Sequence, residues 1–209
     1  MKYKKNVYEG QNVYLQYYEI RNGLKPLVLL HAQAVDSTSY FGVMPKLAQH
    51  FHVYAVDCYG HGGSLHDASK YNVTDIGNAV ISFIQNVIQE QVCLLGHSSG
   101  GHLAMMAVLY NACGRIKMPD VKGVILESAS SNLLICSNHP LPPGLSVRPA
   151  AVLLGVDSIE NNNEIAYGAS CESLIREDII LPPVLMFHCA NDPVVSVENS
   201  RSLYQKLDE

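Results

Sequence analysis

The chain has 209 residues, of which 48% are hydrophobic and 16% charged, and its formal net charge is −5. This composition fits one well-buried domain over residues 1–209 and excludes an extended disordered chain. The modest acidic charge gives no reason to expect nucleic acid or a membrane as a partner, and the apolar runs are far shorter than a membrane span. Because no apolar signal region follows the N-terminal lysines, we expect a cytoplasmic protein.

The six cysteines are scattered without a C-x-x-C pair, so we expect reduced thiols that mostly fill the core. No spacing of histidine, cysteine or carboxylate residues indicates a metal. We therefore expect neither a metal nor another cofactor.

The first part of the chain predicts strands before any long helix. Residues 7–8 and 13–20 flank a turn and read as an antiparallel pair. The continuous apolar run at 26–31 is typical of a strand buried on both faces. A helix is predicted over 40–49 and the next strand over 51–57.

From residue 74 onwards, helices and strands alternate. The predicted elements are a helix at 74–89, a strand at 92–95, a helix from 102 to about 113, strands at 121–127 and 184–188, and a helix at 197–207. This order predicts an α/β fold of three layers, with a mostly parallel sheet between helices.

Residues 129–180 interrupt the alternation with several prolines and a polar cluster at 160–164. We interpret this insertion as a lid or cap over the carboxyl edge of the sheet. The alternative is an irregular surface loop with one ordinary helix.

The stretch Gly96-His97-Ser98-Ser99-Gly100 is a G-x-S-x-G pattern between an apolar strand and a helix-like run. A strand that turns sharply into a helix lifts one side chain out of the sheet, and glycines allow the tight turn. The pattern therefore indicates that Ser98 is a nucleophile.

Four segments in chain order resemble motifs of the α/β-hydrolases, in particular of serine esterases and lipases of the dienelactone-hydrolase and acylaminopeptidase-like branches. The segments are 29–33 (LLHAQ), 57–64 (DCYGHGGS), 96–100 (GHSSG) and 188–195 (HCANDPVV). The resemblance covers nearly the whole chain and implies a cofactor-free hydrolase of small carboxylic esters.

The resemblance also implies roles for individual residues. Ser98 would form an acyl-enzyme, and Asp192 would be the acid that orients a histidine. The backbone N–H groups of Gln33 and Ser99 would stabilise the oxyanion. Glu127, at the end of the preceding predicted strand, is a second candidate for the acid.

One part of this pattern is missing. In this fold the catalytic histidine follows the acid, but only 17 residues follow Asp192 and none is a histidine. We expect that the final strand and this histidine are absent, that the 209-residue form is inactive or nearly so, and that the strand at 184–188 is an unpaired edge open to self-association. Ala32 and Cys189 replace usual glycines. Ala32 is expected to restrict the backbone near the oxyanion site and Cys189 to crowd the turn at the strand end; the alternative is that both replacements are harmless.

Two further readings remain open at this stage. The chain could be a truncated or degenerate hydrolase-fold protein that is not catalytic. Alternatively, His139 in the predicted lid, or a histidine of a partner chain, could replace the missing base. The other histidines are expected to be structural, with His50, His52 and His66 on the surface or in loops.

Overall fold

The computed structural model describes residues 3–138, 140–141 and 148–209. Within them the strands are β1 Lys4–Gly10, β2 Val13–Ile20, β3 Pro26–Leu30, β4 His52–Val56, β5 Val92–His97, β6 Val121–Glu127 and β7 Val184–Phe187. They form one sheet in the order β1-β2-β4-β3-β5-β6-β7. The pairs β1/β2 and β2/β4 are antiparallel and the other four are parallel. The predicted mostly parallel sheet with antiparallel N-terminal strands is therefore confirmed.

The α-helices of the described residues are α1 Met44–Leu47, α2 Val73–Phe83, α3 Ser99–Ala112, α4 Leu133–Asn138, α5 Pro149–Leu154, α6 Asn163–Gly168 and α7 Glu198–Asp208. None of the helices in this part of the chain is long and apolar enough to cross a membrane.

Two predicted helices differ from the observed ones. The helix expected at 40–49 is a 3-10 turn at Ser37–Tyr40 followed by the short α1. Pro45 has no N–H to donate, so a continuous helix through this segment would lose a backbone hydrogen bond. The helix expected at 74–89 ends at Phe83 and continues as a wider π turn over Ile84–Ile88, which buries the side chains at both its ends.

The core lies in two layers, one on each face of the sheet. Alternate residues of β3 point to opposite faces, so Val28 and Leu30 pack in one cluster while Leu27 and Leu29 pack in the other. The first cluster also holds the buried faces of α2 and α3, and the second holds Met44 of α1. Because every residue of β3 is buried, this strand is central.

The segment at 129–180 contains α4, α5, α6 and a 3-10 turn at Cys171–Leu174. Its helices share a small apolar cluster of their own, formed by Leu133, Ala150, Ala151, Ile159 and Ala166. The segment thus has more helical structure than an irregular loop with one helix, and its assignment as a lid stays a prediction.

β7 lies at one edge of the sheet and pairs only with β6 among the described strands. Leu185 is 59% exposed and Phe187 is 47% exposed, and both point to the same face because they are two residues apart. This edge presents unpaired backbone groups together with exposed apolar side chains.

Candidate active site

Ser98 lies at the point where β5 ends and α3 begins. Its backbone has φ 55 and ψ −117, which is a strained conformation for a residue with a side chain. The Ser98 N–H donates to the carbonyl oxygen of Glu127 at 2.9 Å, and the Ser98 carbonyl accepts from the N–H of His102. These bonds hold the strained residue in place between the strand and the helix.

The glycines on either side of Ser98 are required by close backbone contacts rather than by positive φ values. A Cβ on Gly96 would lie 2.2 Å from the carbonyl oxygen of Gly100, and a Cβ on Gly100 would lie 2.1 Å from that of Leu30. Any larger residue at either position would push the start of α3 away from the ends of β5 and β3.

The Ser98 side chain is half-buried, and its hydroxyl makes no hydrogen bond with any described residue. A serine with no base beside it keeps the weak nucleophilicity of an ordinary alcohol. The geometry of the turn is therefore present, while an activating group is not found among the described contacts.

A pocket of about 330 Å³ begins next to this serine, and we call it the elbow pocket. Its wall includes Gln33, Ser99 and Gly100, so both predicted N–H donors of the oxyanion site contribute to one cavity, although Ser98 itself does not line it. The apolar part of the wall is formed by Tyr59, Tyr71, Val73, Ile76, Leu103 and Val152.

Two histidines fix the loop that carries Gln33. The Nε2 atom of His61 accepts from the N–H of Ala34 at 3.3 Å, and that of His31 accepts from the N–H of Cys58 at 2.9 Å. Each Nδ1 atom bonds to a backbone carbonyl oxygen. Burial lowers the pKa of His31. Both histidines therefore position the pocket wall, as the sequence predicted for structural residues.

Ala32, which replaces a usual glycine, has no positive φ, and neither has Cys189. The left-handed residue in this loop is Ala34, with φ 64. The backbone at Ala32 therefore does not require a glycine, so the expected restriction there is wrong. The expected crowding at Cys189 stays a prediction.

The segment 57–64 is a structural support of the same pocket. Asp57 is fully buried, and its carboxylate accepts from the N–H of Ser37 at 2.9 Å and from the N–H of Gly63 at 3.0 Å. The Ser37 hydroxyl and the Gln16 side-chain amide also donate to it. A Cβ on Gly62 would lie 1.9 Å from Asp57 Oδ2. The glycine at position 62 of this motif is thus explained by the space that the buried Asp57 carboxylate needs.

Asp192 lies in a turn after β7. Its Oδ1 atom accepts from the N–H groups of Val194 at 2.8 Å and Val195 at 2.9 Å. Burial raises the pKa of this carboxyl, but these two bonds and one from Ser128 outweigh it, so the pKa lies below its ordinary value. Asp192 is therefore ionised at neutral pH, as an acid that orients a histidine must be.

The strand ends bring Ser98 and Asp192 to the same edge of the sheet. The Ser98 N–H bonds to Glu127 at the end of β6, and the Ser128 N–H bonds to Phe187 at the end of β7. Two strand spacings, about 10 Å, therefore separate the two strand ends. Ser128, with φ 45, lies between them and was not predicted as a functional residue.

Glu127 remains the second candidate for the acid. It is the last residue of β6 and is half-buried. Its carbonyl oxygen holds Ser98, as described above, so its position beside the serine has a structural cause.

His188 is not available as a base. Its side chain is 3% exposed, Nδ1 lies 2.8 Å from Ser200 Oγ, and Nε2 lies 2.8 Å from the carbonyl oxygen of Val195. His188 Nε2 lies 3.7 Å from Asp192 Oδ2. The histidine therefore supports the turn that carries Asp192.

Among the remaining histidines, His52 was predicted wrongly and His102 was not singled out from the sequence. His50 and His66 are exposed, but His52 is buried on β4, where Nε2 lies 2.7 Å from Oε1 of Glu19, so its prediction as a surface residue was wrong. His102 of α3 was not singled out from the sequence, yet it is buried at the wall of the elbow pocket and bonds to the carbonyl oxygen of Ala169 at 2.8 Å.

His139, the candidate substitute base, lies outside the described residues. No three histidine, cysteine, aspartate or glutamate side chains within the described ranges are grouped so that they could bind a metal ion. All six cysteines have free thiols.

A mostly parallel sheet, flanked by helices and carrying a strained serine between β5 and α3, defines an α/β protein with a sharp strand–helix turn. The model described as "Alpha/beta hydrolase family" matches residues 27–170. The chain belongs to the alpha/beta hydrolase family.

Relatives of this chain are similar over part of its length. It is 35% identical over 92 residues to the uncharacterized protein Rv2715 of Mycobacterium tuberculosis, covering 44% of this chain and 27% of that protein. It is 31% identical over 84 residues to the (E)-2-((N-methylformamido)methylene)succinate hydrolase of Acinetobacter baylyi, covering 40% and 32%. The matches therefore span about a third or less of these relatives.

The crystal structure of a hydrolase from Pseudomonas aeruginosa is similar over 97% of this chain and 86% of that one, with a TM-score of 0.70 and 16% identity. At this identity the likeness shows the fold alone.

Proposed function

We propose that this chain is a serine hydrolase that cleaves small carboxylic esters through an acyl-enzyme on Ser98. The observation that carries the proposal is the strained Ser98 at the strand–helix turn, next to an apolar pocket whose wall includes Gln33 and Ser99. A nucleophile, two N–H donors and an apolar cavity are elements of an acyl-transfer site, which also needs a general base.

In this mechanism the Ser98 Oγ forms a bond to the ester carbonyl carbon while its proton passes to a general base, a role for which His139 or a histidine of a partner chain is the candidate. The carbonyl oxygen becomes an oxyanion that accepts from the N–H groups of Gln33 and Ser99. Its collapse breaks the bond to the alcohol oxygen, which takes the proton, and water then hydrolyses the acyl group from Ser98. Asp192, held ionised by its turn, would orient and stabilise the base.

The elbow pocket supports a neutral acyl group. Its lining contains no lysine, arginine or carboxylate among the described residues. Burying an unpaired charge there would cost free energy, whereas apolar carbon gains it. The A. baylyi relative, which is named as a hydrolase, supports hydrolysis as the reaction type.

A second candidate is a non-catalytic hydrolase-fold protein that binds a small ligand. It is favoured by one observation, namely that no described residue is hydrogen-bonded to the Ser98 hydroxyl. Loss of one member of such a triad costs several powers of ten in rate, although an oxyanion site retains some activity.

The two candidates are separated by intact-mass spectrometry after exposure to a fluorophosphonate. The wild-type chain is compared with Ser98→Ala and with the matched control Ser99→Ala, which keeps the backbone N–H of residue 99. We expect an adduct in the wild type and in Ser99→Ala but not in Ser98→Ala. We likewise expect the wild type and Ser99→Ala, but not Ser98→Ala, to hydrolyse p-nitrophenyl butyrate. A folded wild type that forms no adduct would contradict the proposal and favour the non-catalytic candidate.

A further inference from the structure

A second cavity lies next to the elbow pocket. It has a volume of about 510 Å³ and shares Val73, His102 and Leu103 with the elbow pocket. The short helix α5 contributes to both cavities, with Val152 at the first and Leu154 at the second. The two cavities are therefore adjacent, and we call the second one the distal groove.

The distal groove runs between α2 and α3. Gly77 and Ile81 lie four residues apart on α2 and so share one face of that helix. Met106 and Tyr110 are likewise four residues apart on α3 and form the opposite wall. The groove thus follows the axes of both helices rather than crossing them.

The distance from Ser98 to the far end of the groove follows from helix geometry. From the turn at Ser98 to Tyr110 the chain rises 1.5 Å per residue, which gives about 18 Å. At the far end the guanidinium group of Arg115 lies 5.3 Å from the centre of the Tyr110 ring. A linear ligand that reacts at Ser98 could therefore extend along α3 for several carbon atoms beyond the elbow pocket.

The walls of the groove are mainly apolar. Arg115 is the only charged side chain among its described lining residues, and it is exposed at the far end. Gly77 widens the groove, because a Cβ at this position would reach only Leu103 Cδ1, at 3.5 Å. A flexible hydrocarbon chain matches this shape and chemistry better than a polar or charged group.

We propose that the distal groove binds the far part of an unbranched acyl chain whose ester carbonyl is held at Ser98, so that the site accepts acyl groups longer than the elbow pocket alone can hold. The proposal rests on the ester hydrolysis proposed above, because it assigns the groove to the acyl part of that substrate.

Binding of the acid products tests the proposal without requiring turnover. Butyrate, octanoate and laurate are titrated into the wild-type chain by calorimetry. Four additional methylenes, if fully buried, tighten binding by about 200-fold. Because the groove is partly open, we expect laurate to bind at least about tenfold more tightly than octanoate.

Substitutions on the two opposite walls of the distal groove test whether the gain in laurate binding depends on this groove. Gly77→Phe and Ala107→Phe should each abolish the gain of laurate over octanoate and leave butyrate binding unchanged, whereas the matched control Gly77→Ala should keep the gain. The proposal is overturned if laurate binds no more tightly than octanoate to the wild type, or if the gain survives both phenylalanine variants.

Hydrolysis of p-nitrophenyl acetate and laurate separates this proposal from the catalytic one. Turnover of both esters that depends on Ser98, without a chain-length gain sensitive to Gly77→Phe, supports the catalytic proposal and overturns the assignment of the groove. A gain in laurate binding without turnover that depends on Ser98 supports the groove and contradicts the catalytic proposal alone.

Discussion

Gly100 and Leu30 approach so closely that a Cβ on Gly100 would lie 2.1 Å from the Leu30 carbonyl oxygen. Since that oxygen belongs to the backbone of a central strand, it cannot move aside without disturbing the sheet. The start of α3, and with it the N–H of Ser99, is held at its position by a contact that only glycine permits.

Gly100→Ala should therefore lower the free energy of unfolding by at least about 2 kcal/mol, because the added methyl group overlaps with backbone. Gly77→Ala is the matched control, since its methyl group finds ordinary contact distance and alanine favours the helix by about 0.5–1 kcal/mol. Urea denaturation measures both changes. Equal stability of the two variants would contradict this account of Gly100.

Asp57→Ala should destabilise the chain by about 3–5 kcal/mol. The substitution leaves the N–H groups of the buried Ser37 and the half-buried Gly63 without their acceptor, and the loss of a buried acceptor costs about 1–3 kcal/mol. Asp67→Ala removes an exposed carboxylate that accepts from Ser69 at the start of a 3-10 turn, and it should cost only about 1 kcal/mol. Thermal denaturation of both variants would test the prediction, which fails if the two midpoints fall equally.

His102 should make stability depend on pH in the acidic range. Burial lowers the pKa of His102 in the folded chain, so below its ordinary value near 6.5 the unfolded chain binds more protons. The contribution of the neutral His102 side chain to the free energy of unfolding is therefore complete above pH 6.5, and it is lost as the pH falls towards the pKa of His102 in the folded chain.

In His102→Gln, the slope of stability against pH should be smaller than in the wild type by up to about 1.4 kcal/mol per pH unit. Urea midpoints from pH 7.5 to 5 measure the slope, and comparing slopes removes any constant cost of the substitution. His50→Gln changes an exposed histidine and serves as the control. Parallel curves for the wild type and His102→Gln would contradict the prediction.

Glu172 should make the stability of the chain depend on pH in the opposite direction. It is 8% exposed, and neither of its carboxylate oxygens has a partner in good hydrogen-bond geometry. Burial raises its pKa, although Ser202 and Asn132 lie near enough to oppose the shift. The folded chain therefore keeps this proton to a higher pH than the unfolded chain, and stability falls as the pH rises above about 4.5.

Glu172→Gln should accordingly be more stable than the wild type at pH 7, by about 1–3 kcal/mol, with a difference that vanishes near pH 4. Denaturation at several pH values checks this, with the exposed Glu164→Gln as control. A destabilised Glu172→Gln at pH 7 would mean that the carboxylate has a partner in solution.

The free edge of β7 should cause self-association. Leu185→Lys places a charge on an exposed apolar position of this edge, and lysine discourages edge-to-edge pairing. In sedimentation velocity we expect concentration-dependent association of the wild type and a monomer for Leu185→Lys. Val7→Lys at the opposite edge, on β1, should behave like the wild type. A wild type that stays monomeric at all concentrations would refute self-association.

The sequence predicted the strands well because each is a short apolar run between turn residues, and it located Ser98 because the turn requires glycines at a fixed spacing. The supporting contacts could not be predicted in this way. His102 bonds to a carbonyl 67 residues away, and His52 pairs with Glu19 only because β2 and β4 are neighbours in the sheet. The distal groove, likewise, exists only once α2 and α3 lie side by side.

At the rim of the elbow pocket, the Ala34 N–H donates to His61 in a neighbouring loop and the Ser37 N–H donates to the buried Asp57 next to the end of β4. The Ser37 amide hydrogen should therefore exchange with deuterium more slowly than the exposed amides of the same loop. Where the rim of the elbow pocket is held in this way before a ligand binds, little of the binding free energy is lost in ordering it.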